Sequence, residues 1–329
     1  MRTKPMSETT PDSIRPWSTA GTSWLDSSDA HHGASEPTPV VFIVGAGVVG
    51  TALAARLVRA GVPVAGLHGR QAELSDAASA ISGVLSSTGD LPDILSEVDV
   101  VIISVRDERI REVVDRLVRE VRLRPSQILL HTSGANAAGD ILSAALTHVR
   151  GLGTLHPLVS FADPRLAVEG LRTVAFGIEG DSAARHVAAR LVALLGARSV
   201  VVDAKDLPLY HAGAVLVSNY VVALADLARS LMVDAGVPRE QALPALIPLM
   251  TSVVQNLAHV GLPQALTGPV ERGDVSSVER HIEVLQKRAP HVVELYRLLG
   301  QDVLRIALTK APIDADAVSR FEALFAKRA

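Results

Sequence analysis

The sequence predicts an α/β protein: an N-terminal doubly wound parallel sheet followed by an all-helical C-terminal domain. Two patterns carry this reading. Between about residues 40 and 206, short apolar β-branched runs alternate with segments of helical period. After residue 206 the strand-like runs stop and only helical patterns remain.

The elements follow in order. VVFIV (40–44) is a continuous apolar run, as a strand buried on both faces requires. Val48 to Ala60 reads as a helix with Val49, Leu53 and Leu57 on one face. VPVAGL (62–67) and VDVVIISV (98–105) are the next strands, and Ile110, Val113, Val114, Leu117 and Val118 mark the helix after the second of them. SQILLHTSG (126–134) and VRGLGTLHP (149–157) are further strand-like runs. TVAFGIEG (173–180), SAARHVAARLVALLG (182–196) and ARSVVVDAKD (197–206) form a last strand–helix–strand unit. The segment 207–236 is apolar nearly all round and predicts one core helix, and Pro244 and Pro248 should bend or break the segment after it. Thr267-Gly268-Pro269 reads as a turn, with Asp274 or Ser276 capping the helix beyond. Residues 1–38, rich in Ser, Thr, Pro, Asp and Gly, read as a disordered tail, His31-His32 included. The domains expected are therefore 39–206 and 207–329.

Bulk properties narrow the function. The chain has 329 residues, 48% of them hydrophobic, and a net charge of −3, which favours neither nucleic acid nor an anionic membrane surface as partner. It has no cysteine, which removes disulfides, cysteine metal sites and cysteine nucleophiles and fits a cytoplasmic protein. No segment reads as a signal peptide or as an uninterrupted membrane span, and no metal site is expected.

The turn between the first strand and first helix reads Gly45-Ala46-Gly47-Val48-Val49-Gly50. In that context GxGxxG binds a dinucleotide: the first glycine makes the tight turn, the second admits the pyrophosphate, and the third packs helix on strand. The helix start adds free N–H donors and a positive dipole end. The plainer alternative is a glycine-rich turn with no ligand. NAD binding calls for an acid at the end of the second strand, but this one ends Leu67-His68-Gly69-Arg70. Arg70 suits a 2′-phosphate, so NADP(H) is the expected cofactor. Arg70 could equally be an exposed helix-start residue, and His68 a phosphate contact or a surface residue. Two later strand ends, Ser104-Val105-Arg106-Asp107 and His131-Thr132-Ser133-Gly134, face the crevice, and Ser104, Val105 and Ser133 are expected to line its nicotinamide side. His131 reads either as part of that lining or as a satisfied buried histidine, and Asp107 as the cap of its helix.

If 207–236 is one helix, then His211, Ser218, Asn219 and Asp226 fall within about 100° of arc. Lys205 lies just before it. Such a stripe suits carbonyl reduction, in which a donor protonates the developing alkoxide. Lys205 is the first candidate donor and His211 the second, with Asn219 orienting the substrate. Ser218 and His156 are candidate substrate contacts, and Arg272 could clamp a substrate carboxylate with its planar fork. The alternatives are a surface Lys205, a His211–Asn219 pair satisfied between helices, and an Arg272–Asp274 pair within the loop.

HTSGA, LHPLVSF, KDLPLYHAGAVLVSNY and ALTGPVERGD resemble strings of the Rossmann-like proteins that carry the helical domain of unknown function 2520. The likeness runs from about residue 39 to the C-terminus. The family is similar in layout to pyrroline-5-carboxylate reductase, ketopantoate reductase and the β-hydroxyacid dehydrogenases. The resemblance implies a Rossmann domain before a helical domain that often builds a homodimer, and NADPH-dependent reduction of a small 2-oxo acid, ketopantoate included. One departure stands out. Those enzymes carry Lys-x-x-x-Asn within one helix, whereas Lys205 and Asn219 are too far apart for that motif. Two further readings stay open: an imine reductase of the pyrroline-carboxylate type, and a non-catalytic NADP(H)-binding sensor.

Overall fold

The computed structural model describes residues 36–160, 168, 170–171 and 174–326. Residues 1–35, the bulk of the expected tail, lie outside the described residues. Glu36 is exposed and accepts hydrogen bonds from Arg190 (2.6 Å) and His186 (3.3 Å).

The described chain forms two compact units, one ending at Ala214 and one starting at Val215. The first is built on an eight-stranded sheet: β1 (Val41–Val44), β2 (Val64–His68), β3 (Ser86–Ser87), β4 (Val100–Ile103), β5 (Ile128–His131), β6 (Gly151–Pro157), β7 (Ala175–Gly180) and β8 (Arg198–Val201). The order is β3-β2-β1-β4-β5-β6-β7-β8, with the switch point between β1 and β4. The helices of this unit are α1 (Val48–Arg59), α2 (Ala72–Ser82), α3 (Asp107–Glu120), α4 (Ala138–Ile141), α5 (Ser182–Leu194) and α6 (Leu207–Val217), the last of which crosses the boundary between the units.

The β1 pattern explains the double winding. Val41 and Ile43 face one core with Leu53 and Leu57 of α1 and Leu191 of α5. Phe42 and Val44 face the other with Ile110, Val114 and Leu117 of α3. Both faces are covered, so the strand is apolar throughout. The expected all-parallel sheet needs one correction. β7 runs antiparallel to β6, and β8 is parallel to β7, so the last two strands are reversed. Composition cannot reveal this, because a strand covered on both faces is equally apolar in either direction. The short edge strand β3, two serines long, had no apolar run to announce it.

The second unit contains α7 (Asn219–Asp234), α8 (Arg239–Val260), α9 (Val275–Arg288), α10 (Pro290–Lys310) and α11 (Ala315–Ala326). Its core joins Val278, Ile282, Leu304, Phe321 and Phe325. Two expectations fail here. The segment 207–236 is not one buried helix: it is interrupted at Ser218 (φ −115°, ψ −80°), and Leu207 is its only buried residue. The all-round apolar pattern marks surface, since Leu209, Val217 and Val222 are each at least 70% exposed. The single-helix arc that grouped His211, Ser218, Asn219 and Asp226 therefore does not hold across Ser218, and Asp226 is instead paired with Arg229. Nor do Pro244 and Pro248 break α8. Both lie on an exposed stretch, where water can satisfy the carbonyls they leave unbonded.

Candidate functional site

A cavity of about 990 Å³ lies at the carboxyl ends of β1, β2, β4 and β5. Ligands bind at this edge of a doubly wound sheet. The glycine turn forms its floor. Gly45 has φ +129°, and a side chain there would strike the Ser104 carbonyl oxygen at 2.1 Å. Its N–H donates to the His68 carbonyl at 2.7 Å, tying β1 to β2 at the crevice. A side chain on Gly50 would meet the Gly45 carbonyl oxygen at 1.9 Å, so Gly50 sits behind the turn rather than in the lining. Gly47 is different: the space where its side chain would project is open within 4 Å. It occupies the N-cap of α1 with no capping side chain, so the first amides of the helix are left for a ligand. A pyrophosphate fits this cradle.

Gly45, Ala46, Gly47, Val48, Val49, Arg70, Ser104 and Val105 line the cavity. His68 lines it too, but it is buried, not on the surface, and its Nδ1 lies 3.0 Å from Ser87 Oγ. Burial, with Arg116 nearby, lowers its pKa. Ser133 is not in the lining; Thr132 is. The Ser133 hydroxyl instead donates to Asp107 Oδ2 at 2.7 Å, and the Asn136 amide donates to the same oxygen at 3.0 Å. Asp107 thus ties two strand-end loops together rather than capping α3, whose N-cap is Arg106.

Arg106, in a strand end expected to face the crevice, also lines the cavity, and so do Arg109 and Arg116, which sequence reasoning missed. Both lie on α3, the helix that follows the crevice-facing end of β4, and that placement was the available signal. The general abundance of arginine obscured it.

Beside the cavity lies a buried polar network. The Ser133 N–H donates to His131 Nδ1 (3.1 Å), which leaves Nε2–H to donate to Thr154 Oγ1 (3.1 Å). Thr154 in turn donates to Glu179 Oε2 (2.9 Å), which also accepts from the Ala138 N–H (2.9 Å). His131 is therefore the satisfied buried histidine of the two readings, and burial lowers its pKa to about 4. Next to it, His156 Nδ1 lies 3.0 Å from the Tyr210 hydroxyl, and its ring meets His211 edge-on at 5.8 Å between centroids. Burial, and then His211, lower the His156 pKa to about 4.

Lys205 lies on an exposed 3₁₀ turn (Ala204–Asp206) and makes no hydrogen bond or ion pair to another described residue. Ser218 donates to Asn219 Oδ1 at 3.0 Å, so His211 and Asn219 do not satisfy each other. Arg272 is exposed. Its supposed partner Asp274 caps α9 instead, accepting from the Ser277 N–H (3.1 Å) and from the Ser277 (2.6 Å) and Ser276 (2.9 Å) hydroxyls. These bonds hold the Asp274 carboxyl at about 2.

Comparison with known proteins agrees with this architecture. Residues 25–157 match the model of a Rossmann-like domain, and residues 174–303 match the domain of unknown function DUF2520. The chain carries a Rossmann-like domain followed by a DUF2520 domain. Among solved structures it is similar to a protein of Thermotoga maritima (23% identity, TM-score 0.64, covering 82% of this chain and 99% of that one). It is also similar to a pyrroline-5-carboxylate reductase of Coxiella burnetii (16%, 0.56, 88% and 99%). A third is the pyrroline carboxylate reductase of Plasmodium falciparum, solved with NADP bound (13%, 0.55, 89% and 100%). No curated protein sequence matches the chain.

Proposed function

We propose that this protein is an NADP(H)-dependent reductase of a small carbonyl or imine compound. The observation that carries the reading is the glycine cradle at the carboxyl edge of the sheet, open at Gly47 and flanked by Arg70 where an NAD enzyme would carry an acid. When bound, NADPH supplies the hydride. The chain's amides at the start of α1 hold the pyrophosphate, and the Arg70 guanidinium holds the 2′-phosphate. Arg70→Ala should weaken NADPH binding roughly 10–100-fold, the worth of a hydrogen bond to a charged group, and leave NADH binding within about threefold. Fluorescence titration of both cofactors checks this, and equal losses would count against Arg70 as the 2′-phosphate contact.

A 2-oxo acid such as ketopantoate is the first substrate to test, with Arg272 as carboxylate clamp and Lys205 or His211 as proton donor. A cyclic imine is the second reading, favoured by the pyrroline carboxylate reductases among the similar structures. NADPH oxidation measured with ketopantoate beside a pyrroline carboxylate separates the two. Lys205→Ala tests the donor, because lost turnover gives Lys205 the role and retained turnover moves it to the histidines. NADPH bound without turnover on either substrate would favour a sensor.

The helical domain, we further propose, forms a homodimer in the cytoplasm. Helical segments 204–234 and 239–260 are long and apolar enough to cross a membrane by length and composition, and at most 6% of either apolar window is buried. Asp226 and Arg229 within α7, and the prolines of α8, favour a second copy over lipid as the cover of these faces. Light scattering should give about twice the 34.6 kDa chain mass. Val222→Asp, at a site 70% exposed in the single chain, should give monomers with an intact sheet by circular dichroism. A wild-type monomer in detergent-free buffer would overturn the dimer.

A further inference from the structure

His156 is the penultimate residue of β6, at the same sheet edge as the cavity. Its ring packs on Gly134, where any side chain would come within 2.6 Å of Cε1. Gly134 lies two residues past Thr132, which lines the cavity wall. Tyr210 meets His156 edge-on, and its ring fills the space left by Gly177, where a side chain would meet the phenol oxygen at 2.2 Å. Gly134 and Gly177 thus leave room for the His156–Tyr210 pair.

Gly177 is the residue opposite His156 in the β6–β7 pairing, and the phenol oxygen lies against it. When the phenol donates, its proton goes to His156 Nδ1, 3.0 Å away. An imidazole accepting at Nδ1 carries its proton on Nε2. The groups facing His156 are Tyr210, His131, His211 and Asp107; only Asp107 favours its protonation, while His211 opposes it. Burial raises the phenol to about 12 and keeps the imidazole neutral near pH 7. With the phenol donating, the pair holds one transferable proton in a defined orientation. The Nδ1 atom of neighbouring His211 is buried with no hydrogen-bond partner in the described structure.

We propose that Tyr210 and His156 form a directional proton relay that protonates the reduced oxygen or nitrogen of the substrate, with His156 Nε2–H as the catalytic donor and Tyr210 as its positioning and recharging partner. The inference rests on the reductase reading above and puts His156 in the donor role in place of Lys205 and His211. When hydride from reduced nicotinamide reaches the C=O or C=N carbon, the His156 Nε2–H bond breaks and the product O–H or N–H bond forms. The phenol O–H bond breaks as the His156 Nδ1–H bond forms. The phenolate left behind waits for the return of its proton. After product leaves, a solvent proton on Nε2 and return of the Nδ1 proton to the phenolate restore the starting state. One hydride and one proton enter the product, and charge balances.

The relay is tested first without turnover. Protein with ¹⁵N-labelled histidine is studied by long-range ¹H–¹⁵N NMR at pH 7, with His156 assigned from a His156→Asn variant. The expected result is the Nε2–H tautomer in the wild type and a mixture of tautomers in Tyr210→Phe. A wild-type His156 protonated on Nδ1 overturns the relay whatever the enzyme reduces. Kinetics come second, with whichever carbonyl or imine substrate the protein reduces. Tyr210→Phe and His156→Asn should each lower kcat about 100-fold with NADPH affinity unchanged, and the double variant should be no worse than either single one. Unchanged kcat in Tyr210→Phe overturns the relay. Absence of any wild-type turnover, with the Nε2–H tautomer present, instead overturns the reductase reading and with it the relay's catalytic role.

Discussion

Gly45→Ala is expected to destabilise the first unit by about 3–5 kcal/mol, whereas Gly47→Ala, two residues away, should leave stability within about 0.5 kcal/mol and lower NADPH affinity at least tenfold. The difference is geometric. At Gly45 the backbone has φ +129°, and the added carbon lands 2.1 Å from the Ser104 carbonyl oxygen, so β1 and β4 must move apart. Strain and overlap add, and for a unit of this size the melting temperature should fall by about 10 °C. At Gly47 the backbone is ordinary (φ −79°) and nothing lies within 4 Å. The added methyl occupies space that a pyrophosphate would need. Thermal melts and NADPH titrations of the two variants check both halves. A Gly47→Ala protein that binds NADPH normally would remove the cofactor from this turn.

The second large effect is on acid stability. Unfolding free energy should fall as the pH drops from about 6.5 to about 4, chiefly through His131 and His156. Burial holds both near 4, against 6.5 for an ordinary histidine. The unfolded chain therefore binds more protons than the folded one throughout that window, so stability rises with pH across it. It is fully present above about 6.5, and this source of loss is exhausted below about 4. The full span is on the order of 3 kcal/mol for each histidine. Asp274 titrates in a lower window, between its ordinary value of 3.8 and about 2, and does not contribute to this slope. Urea unfolding at pH 7, 5.5 and 4.5 measures the effect, and His131→Asn should flatten it by about half. A stability independent of pH between 7 and 5 would mean that these rings are charged or solvated in the folded protein.

The first unit was legible from its sequence because its signals are local. A strand buried on both faces is a run such as VFIV, and a tight turn into a helix needs glycines at set spacing, so β1, α1 and the cradle could be read from the one stretch 41–59. The cavity residues Arg70, Ser104 and Val105 followed from the rule that ligands sit at strand ends. Arg109 and Arg116, carried to the cavity by α3, were lost among the other arginines.

Tertiary structure alone decided the rest. Glu179 reaches Thr154 because β7 runs antiparallel beside β6, and no local pattern records strand direction. Tyr210 meets His156 across 54 residues of chain, through a space that Gly177 leaves empty. Reading 207–236 as core failed because hydrophobicity states that a face avoids water, not what covers it. The sequence by itself determined that there is a doubly wound sheet with a glycine cradle and a helical second half. Which polar groups share a proton, and which apolar faces remain uncovered in one chain, depend on contacts between segments far apart in sequence, and only folding makes those contacts.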